Sequence, residues 1–291
     1  MDVLKSFPFN AWSGALAQSD RRDAISALES GHVLFFPQLA FSLLPSEHFL
    51  LSPALSSGRS KNVSLDPAGR LENAKLSPEE RTLLPAMMER FADGARALVC
   101  ELFPRYSPKL ERARTSFRPV EIAGRRSSRI NDDTRLHIDA FPARPMHGRR
   151  ILRLFCNVHP RGVPRVWNVG EPFAEMVTKL LPHVKEPLPL KPRFLAAIGA
   201  TRGVRSAYDS LMLGLHDAAK LDTDYQDRVT KTELRFPPGS SWLCFTDQVT
   251  HAVISGQFVL EQTFYLDVDA MAEPARAPIK VLEALSGRRL A

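Results

Sequence analysis

The feature that most constrains this chain is a change of texture after Arg114. From there on, short runs of β-type composition follow one another between turns: SFRPVEI (116–122), RLHIDAF (135–141), RILRLFCNV (150–158), TELRFPP (232–238), SWLCFT (241–246) and QFVLEQTFYLDV (257–268). Two helical inserts, 171–184 and 206–220, interrupt them. Ahead of Arg114 the pattern is mostly helical. Asp20 to Glu29 carries its apolar residues on one side, Gly31 sits where a helix C-cap belongs, and HVLFFP follows as a short buried strand. Residues 52–76, rich in Ser, Pro, Asn and Gly, read as a long surface loop. Ser77-Pro78-Glu79-Glu80 is a capping box with proline at the first helical position. It opens a helix whose apolar face runs from Leu83 towards Phe103, with Pro85 placed to disturb the first turns. Helices first and many short strands afterwards predict an α+β protein whose C-terminal part is a sandwich or barrel. The expected division is a helical region over 1–115 packing on the core, a β core over 116–270 and a tail over 271–291.

The composition narrows the function classes. With 291 residues, 44% hydrophobic and 24% charged, the chain can bury a sizeable core. No stretch approaches the ~18 apolar residues of a membrane span, and the first twenty residues lack the apolar run of a secretory signal. Secreted, collagenous, disordered and membrane-spanning classes are excluded on this reading. The net charge of +7 favours a polyanionic partner (nucleic acid, a phosphorylated small molecule or an anionic membrane surface) without choosing among them. Cys100, Cys156 and Cys244 are far apart and in apolar settings, so they are expected to be reduced core residues.

The chemistry concentrates in two places. In the strand-like run Arg135–Phe141, side chains at i and i+2 point to one face, so His137 and Asp139 can grip one ion together. Much later, PPGSSWLCFTDQVTH reads as a turn, a buried strand, a polar hairpin and a histidine, His251. Two histidines and a carboxylate on one side of a metal are the ligand set of non-haem Fe(II) oxygenases, with three positions left for co-substrate and O2. H-x-[DE] alone is weak: eight histidines in a chain with 32 acidic residues give roughly 0.9 matches by chance. A core histidine bonded to a nearby carboxylate is the competing account of His137. The position of the motif in a β run, and the P-G-S-S-W-L-C-F-T…H block behind it, weigh against that account.

These residues resemble the 2-oxoglutarate/Fe(II)-dependent oxygenases, which share H-x-D on one strand, a P-G-x-x-W-[LV]-x-F strand and a late histidine. More closely, RLHIDAFPARPMHGRRILRLFCNVHP, PRVWNVGEPF, RSAYDSLMLGLHDAAKLD and PPGSSWLCFTDQVTHAVISGQF resemble the bacterial Kdo 3-hydroxylase family, over about residues 115–268. That resemblance implies a double-stranded β-helix (jelly-roll, cupin-like) core with an N-terminal helical layer. It implies His137, Asp139 and His251 as iron ligands, with Fe(II) and 2-oxoglutarate as cofactors. It also implies hydroxylation at C3 of a 3-deoxy-D-manno-oct-2-ulosonic acid (Kdo) residue on a lipid A precursor of lipopolysaccharide. The expected products are the 3-hydroxylated sugar, succinate and CO2. The partners implied are that lipid-linked sugar and O2, in the cytoplasm with peripheral contact at an anionic inner membrane, and no nucleic acid.

The distal carboxylate of 2-oxoglutarate needs a buried cation. Many such oxygenases place an arginine about ten residues after the last histidine, but Leu260, Glu261, Gln262 and Thr263 stand there. In RRILRLFCNV the alternation puts Ile151, Arg153, Phe155 and Asn157 on one face, so Arg153 and Asn157 are the polar groups of a barrel interior. Arg153 suits bidentate carboxylate binding; an exterior arginine lying along a sheet is the alternative. Gln262 interrupts the apolar face of Phe258, Leu260, Phe264 and Leu266, and is either a third group at the co-substrate or a satisfied buried amide. Arg125, Arg126, Arg129, Arg144, Arg149, Arg150, Arg161 and Arg165 flank the iron strands and are either anion donors or a solvated basic face. Trp167 with Asn168 reads as a staple for a loop ahead of the lining of a sugar pocket, His216-Asp217 as a weaker metal pair, and 278–291 as a frayed helix ahead of a contact for an anionic membrane surface. The rivals are the same oxygenase chemistry on a protein or nucleic acid, and a non-catalytic cupin-like anion-binding module.

Overall fold

The computed structural model describes residues 2–14, 16–58, 60, 62–125, 127–184, 196, 199 and 201–290. The strands that organise it are buried on both faces. β6 (Arg150–Asn157) and β11 (Val259–Leu266) are the middle of a sheet that also contains β1 (Leu4–Ser6), β2 (Val33–Phe36), β3 (Val63–Leu65), β4 (Leu71–Glu72), β5 (Leu110–Arg118) and β9 (Ser241–Phe245). The order is β1-β2-β9-β6-β11-β5-β3-β4, antiparallel throughout except for the β1–β2 pair. A smaller antiparallel sheet, β10 (His251–Ser255), β7 (Arg165–Val169) and β8 (Thr232–Phe236), faces it. Aromatic rings lock the two sheets together. Phe236 stacks on Trp242 at 4.0 Å, Trp242 on Phe155 at 5.2 Å, and Trp167 meets Phe155 edge-on at 5.0 Å. A large antiparallel sheet opposed by a small one, with helices added, is an α+β arrangement consistent with a jelly-roll core.

The other face of the large sheet is covered by helices. α1 (Gln18–Glu29) and α2 (Pro78–Leu102) lie against it, α2 over β5 and β11. The predicted capping box is present: Ser77 Oγ accepts from Glu80 N and Glu80 Oε2 accepts from Ser77 N. Leu84, Met87, Met88 and Phe91 of α2 are buried in one cluster with Phe117, Cys156 and Leu260, each worth about 1.5–3 kcal/mol of transfer free energy. α3 (Phe173–Leu180), α4 (Ala207–Leu221), α5 (Thr223–Arg228) and α6 (Pro278–Ser286) complete the described helices. Pro85 sits within α2 without ending it.

Several expectations are corrected. Segment 135–141 is extended but not a strand: His137 pairs with His251 at one isolated bridge while Asp139 N donates to Thr246 O. Bonding in turn to β10 and to the chain beyond β9, it never runs alongside either long enough to make a ladder. The 52–76 stretch holds β3 and β4, joined at a turn in which Asp66 Oδ1 accepts from Ala68 N and Arg70 N. β5 begins at Leu110 and so runs across residue 115, and β1 to β4 extend the same sheet from the N-terminal third. Cys156 and Cys244 are buried, but Cys100 is only half-buried. The last residues are docked, not frayed: Gly287 closes α6 in the left-handed region (φ 67°), Leu290 is buried, and its carbonyl accepts from Tyr208 N.

Candidate active site

The site forms where the extended segment before β6 crosses between the two sheets. His251 opens β10 directly after the TDQVT turn, and the mutual hydrogen bonds of its backbone with His137 (2.8 and 2.9 Å) fix both chains side by side. The imidazoles lie 4.7 Å apart, centre to centre. Asp139, two residues further along, points the same way, and one ligand atom from each of His137, Asp139 and His251 lies within 4.8 Å of the others.

Each histidine is held from behind by the backbone carbonyl two residues before it. Nδ1 of His137 lies 2.8 Å from Arg135 O, and Nδ1 of His251 lies 2.8 Å from Val249 O. A carbonyl only accepts, so Nδ1 carries the hydrogen and the Nε2 lone pair is left free for a cation. Burial lowers the pKa of both rings, which keeps them in the neutral, ligating form. Burial would raise the Asp139 carboxyl, but Arg153 first and then the two histidines override it and hold it well below the usual carboxylate range. Arg153 Nε is 3.2 Å from Asp139 Oδ2, an ion pair without hydrogen-bond alignment: Oδ2 is buried and makes no hydrogen bond. Two neutral imidazoles and a buried, ionised carboxylate with a spare oxygen fit a divalent cation.

The triad opens into a cavity of about 200 Å³ walled by Phe155, Trp167 and Val253 and by the guanidinium groups of Arg118, Arg153 and Arg165. A larger cavity, of about 300 Å³ between Gly31, Glu171, Gln248 and Arg276, contains none of the triad. Arg153 Nη1 also lies 3.3 Å from Glu261 Oε1, and Arg118 Nε donates to Glu261 Oε2 at 2.9 Å. Arg165 is buried, donates to Gly256 O and forms no ion pair among the described residues. Burial and the neighbouring Arg118 push its pKa down, to about 9.

A sequence model of the 3-deoxy-D-manno-oct-2-ulosonic acid (Kdo) hydroxylase family matches residues 11–289. The chain belongs to that family. Three structures of the Kdo hydroxylase KdoO, a non-heme Fe(II) alpha-ketoglutarate dependent dioxygenase, match it at 46% sequence identity over 99% of this chain and 97% of that chain. The TM-score is 0.95 for the complex with alpha-ketoglutarate and Fe(III), 0.96 for the cobalt(II) complex and 0.95 for the apo structure. No curated protein matches the sequence.

Within this Kdo hydroxylase the other expected residues divide sharply. Arg153 reaches the cavity, but its guanidinium is already shared between Asp139 and Glu261. Asn157 does not reach it. Its Nδ2 donates to Val163 O and Phe236 O and its Oδ1 accepts from His159 N, so the amide is spent holding loops. Gln262 lies on the opposite face of β11, where it accepts from Thr115 Oγ1 and donates to Thr263 O. Trp167 is no loop staple: it belongs to β7 and stacks on the His251 ring at 5.0 Å. His216 pairs with Asp217 and touches His137 edge-on, outside the metal group. Arg150 is buried on the far side of the sheet, Arg149 pairs with Glu111, and Arg126 lies outside the described residues. Sequence reasoning missed Arg118 and Glu261. Glu261 had a usable signal: in a strand buried along its whole length, it stands on the face opposite Leu260, Phe264 and Leu266.

Proposed function

We propose that this chain is an Fe(II)- and 2-oxoglutarate-dependent dioxygenase that hydroxylates Kdo at C3 in a Kdo-lipid A precursor. The convergence of His137, Asp139 and His251 on one point carries this reading, and the iron and alpha-ketoglutarate of KdoO support it. The two sheets are then the two walls of a double-stranded β-helix, completed from before residue 116 by β1 to β4 and the start of β5, with α1 and α2 covering the large sheet and 271–291 as the tail. Iron bound with 2-oxoglutarate and O2 supplies the oxidation that replaces a sugar C–H hydrogen by hydroxyl, with succinate and CO2 as co-products.

The protein's own part is positioning and exclusion of water. His137 and His251 present Nε2 because their Nδ1 hydrogens are committed to Arg135 O and Val249 O. Arg153 keeps Asp139 ionised and aimed. That duty weakens it as the clamp for the distal carboxylate of 2-oxoglutarate, since two carboxylates already share its charge. Arg165 is the better clamp: it is buried, lines the same cavity and donates to a backbone carbonyl, and although Asp133, Glu121 and Glu261 act on its charge it is in no ion pair among the described residues. Phe155, Trp167 and Val253 keep the reacting volume dry. The acceptor is lipid-linked, so the enzyme works peripherally at the cytoplasmic face of the inner membrane. No described helix is long and apolar enough to cross it.

Anaerobic addition of Fe(II) and 2-oxoglutarate to metal-free protein is expected to give the visible charge-transfer band of a chelated keto-acid, absent in His137→Ala. Admission of O2 with the Kdo-lipid A precursor is expected to add the mass of one oxygen atom. A folded wild-type protein without the band refutes the cofactor reading. A band without oxygen incorporation into any Kdo acceptor refutes the substrate reading alone.

A further inference from the structure

The two sheets are unequal, and the mismatch leaves a floor uncovered. The small sheet stacks its aromatic residues over β2, β9 and β6, whereas β11, β5 and β3 present a polar surface on the same side. That surface floors a groove of about 350 Å³ with the hydroxyls of Ser64, Ser116 and Thr263, and it shares Asn62, Arg118 and Arg153 with the metal cavity. The groove is therefore the open continuation of the reaction site.

Its charge is lopsided. Among the described lining residues, five guanidinium groups face a single carboxylate, Glu261. Arg118 and Arg153 are held by Glu261 and Asp139, and Arg114 is held by Glu72 through two hydrogen bonds. Arg144 and Arg202, which line the groove but not the metal cavity, form no ion pair with a described residue. Arg144 lies over the Tyr265 ring at 5.4 Å, and the backbone of Arg202 is tied to the Arg144 loop by a 2.9 Å hydrogen bond to Ala143 O. Two guanidinium groups on one rim, neither in an ion pair with a described residue, stand above a hydroxyl floor and match an acidic saccharide, because sugar hydroxyls and oxyanions need those donors.

We propose that this groove holds the part of the acceptor beyond the sugar being hydroxylated, and that Arg144 and Arg202 bind a second oxyanion there, a phosphate or a carboxylate. The inference rests on the proposed Kdo hydroxylation and deepens it. It assigns the groove to the acceptor and leaves 2-oxoglutarate to the metal cavity.

The test compares wild type, Arg144→Ala, Arg202→Ala and Arg202→Lys on two acceptors, the bis-phosphorylated Kdo-lipid A precursor and the same molecule with its phosphates removed. Each alanine variant is expected to raise KM for the intact acceptor roughly tenfold, with a much smaller change in kcat, and lysine to recover part of the loss. If phosphate is the bound oxyanion, removing the phosphates weakens wild type to the level of the variants. If it is a sugar carboxylate, the variants lose equally on both acceptors. Equilibrium binding of the intact acceptor in detergent micelles to iron-free protein gives the same ranking without turnover, so a failure of the oxidation chemistry leaves this test standing. Wild-type affinity for both acceptors in both alanine variants overturns the proposal, as does a rise in KM confined to 2-oxoglutarate.

Discussion

Arg150 and Arg153 stand three residues apart on β6 and face opposite ways, and their surroundings could hardly differ more. Arg150 is fully buried in a closed network. Nε and Nη2 bond Asp247 at 2.8 and 3.3 Å, Nη2 bonds Gln248 Oε1 at 2.7 Å, and the guanidinium lies 3.7 Å over the Phe245 ring. Gln248 in turn donates to Glu29 O, so the network fastens α1 to the strand ends. Arg153 touches Asp139 and Glu261 at 3.2 and 3.3 Å, and its Nε makes no hydrogen bond. A closed network of buried charges specifies how elements dock. One left loose beside a cavity has room for another partner, and here that cavity also holds three converging metal ligands.

The largest effect that would test this contrast is on stability. Arg150→Met strands the Asp247 carboxylate in the interior and is expected to cost about 3–5 kcal/mol, read as a fall in the urea midpoint at unchanged slope. Arg153→Met leaves Glu261 its bond to Arg118 and is expected to cost less than half as much, while the anaerobic keto-acid band weakens because Asp139 loses its orienting partner. Equal losses of stability in the two variants would erase the distinction. Ligand-linked stabilisation comes next in size. Fe(II) at about a hundred times its Kd is expected to add ~2.7 kcal/mol to wild type and nothing to Asp139→Ala, as thermal unfolding would report.

How much of this was legible in the sequence depends on what each signal encodes. His137 and Asp139 stood out because two-residue spacing in an extended run sends both side chains to one face, and that local geometry survives although no strand forms there. The two faces of β6 were legible for the same reason. Alternation names a face, however, and not a position along the strand: Asn157 shares a face with Arg153 but lies where the 158–163 loop and the end of β8 use its amide. Gln262 drew notice as a polar break in an apolar face, when the cavity lay on the other side, with Glu261. β1, β3 and β4 span two or three residues each, too few for any period, and only pairing defines them, β1 with β2, β3 with β5 and β4 with β3. The Arg144–Arg202 rim is a matter of tertiary placement, fifty-eight positions apart in the chain.

Acid should act on the open network in a defined direction. Burial pushes the Glu261 carboxyl up, but Arg118 and then Arg153 outweigh it and hold its pKa below the ordinary value. A carboxyl with a depressed folded pKa binds fewer protons folded than unfolded. Its contribution is therefore complete above the unfolded value of about 4.3 and is lost as pH falls towards the folded one. Glu261→Gln is expected to flatten the decline of stability below about pH 4.5 in urea titrations from pH 6 to 3. An unchanged slope would mean that Glu261 is not held by its arginines in solution.

The smallest effect asks whether the open face breathes. Cys156 lies on the Arg150 face of β6, and Cys244 pairs in register with Arg153. Burial pushes the Cys156 thiol up to about 11 and the Cys244 thiol higher still, so neither offers thiolate at pH 8, whereas Cys100 is half-buried on α2. Iodoacetamide at pH 8 is expected to modify Cys100 alone in the native protein, read by peptide mass, and all three cysteines in urea. Once exposed, both are ordinary thiols, so the order in which they are labelled reports which side opens first. Labelling of Cys244 ahead of Cys156, suppressed by Fe(II) and 2-oxoglutarate, would show that the Arg153 side opens by itself and that ligand closes it. Labelling of Cys156 first would show instead that the α2 face is the weaker one.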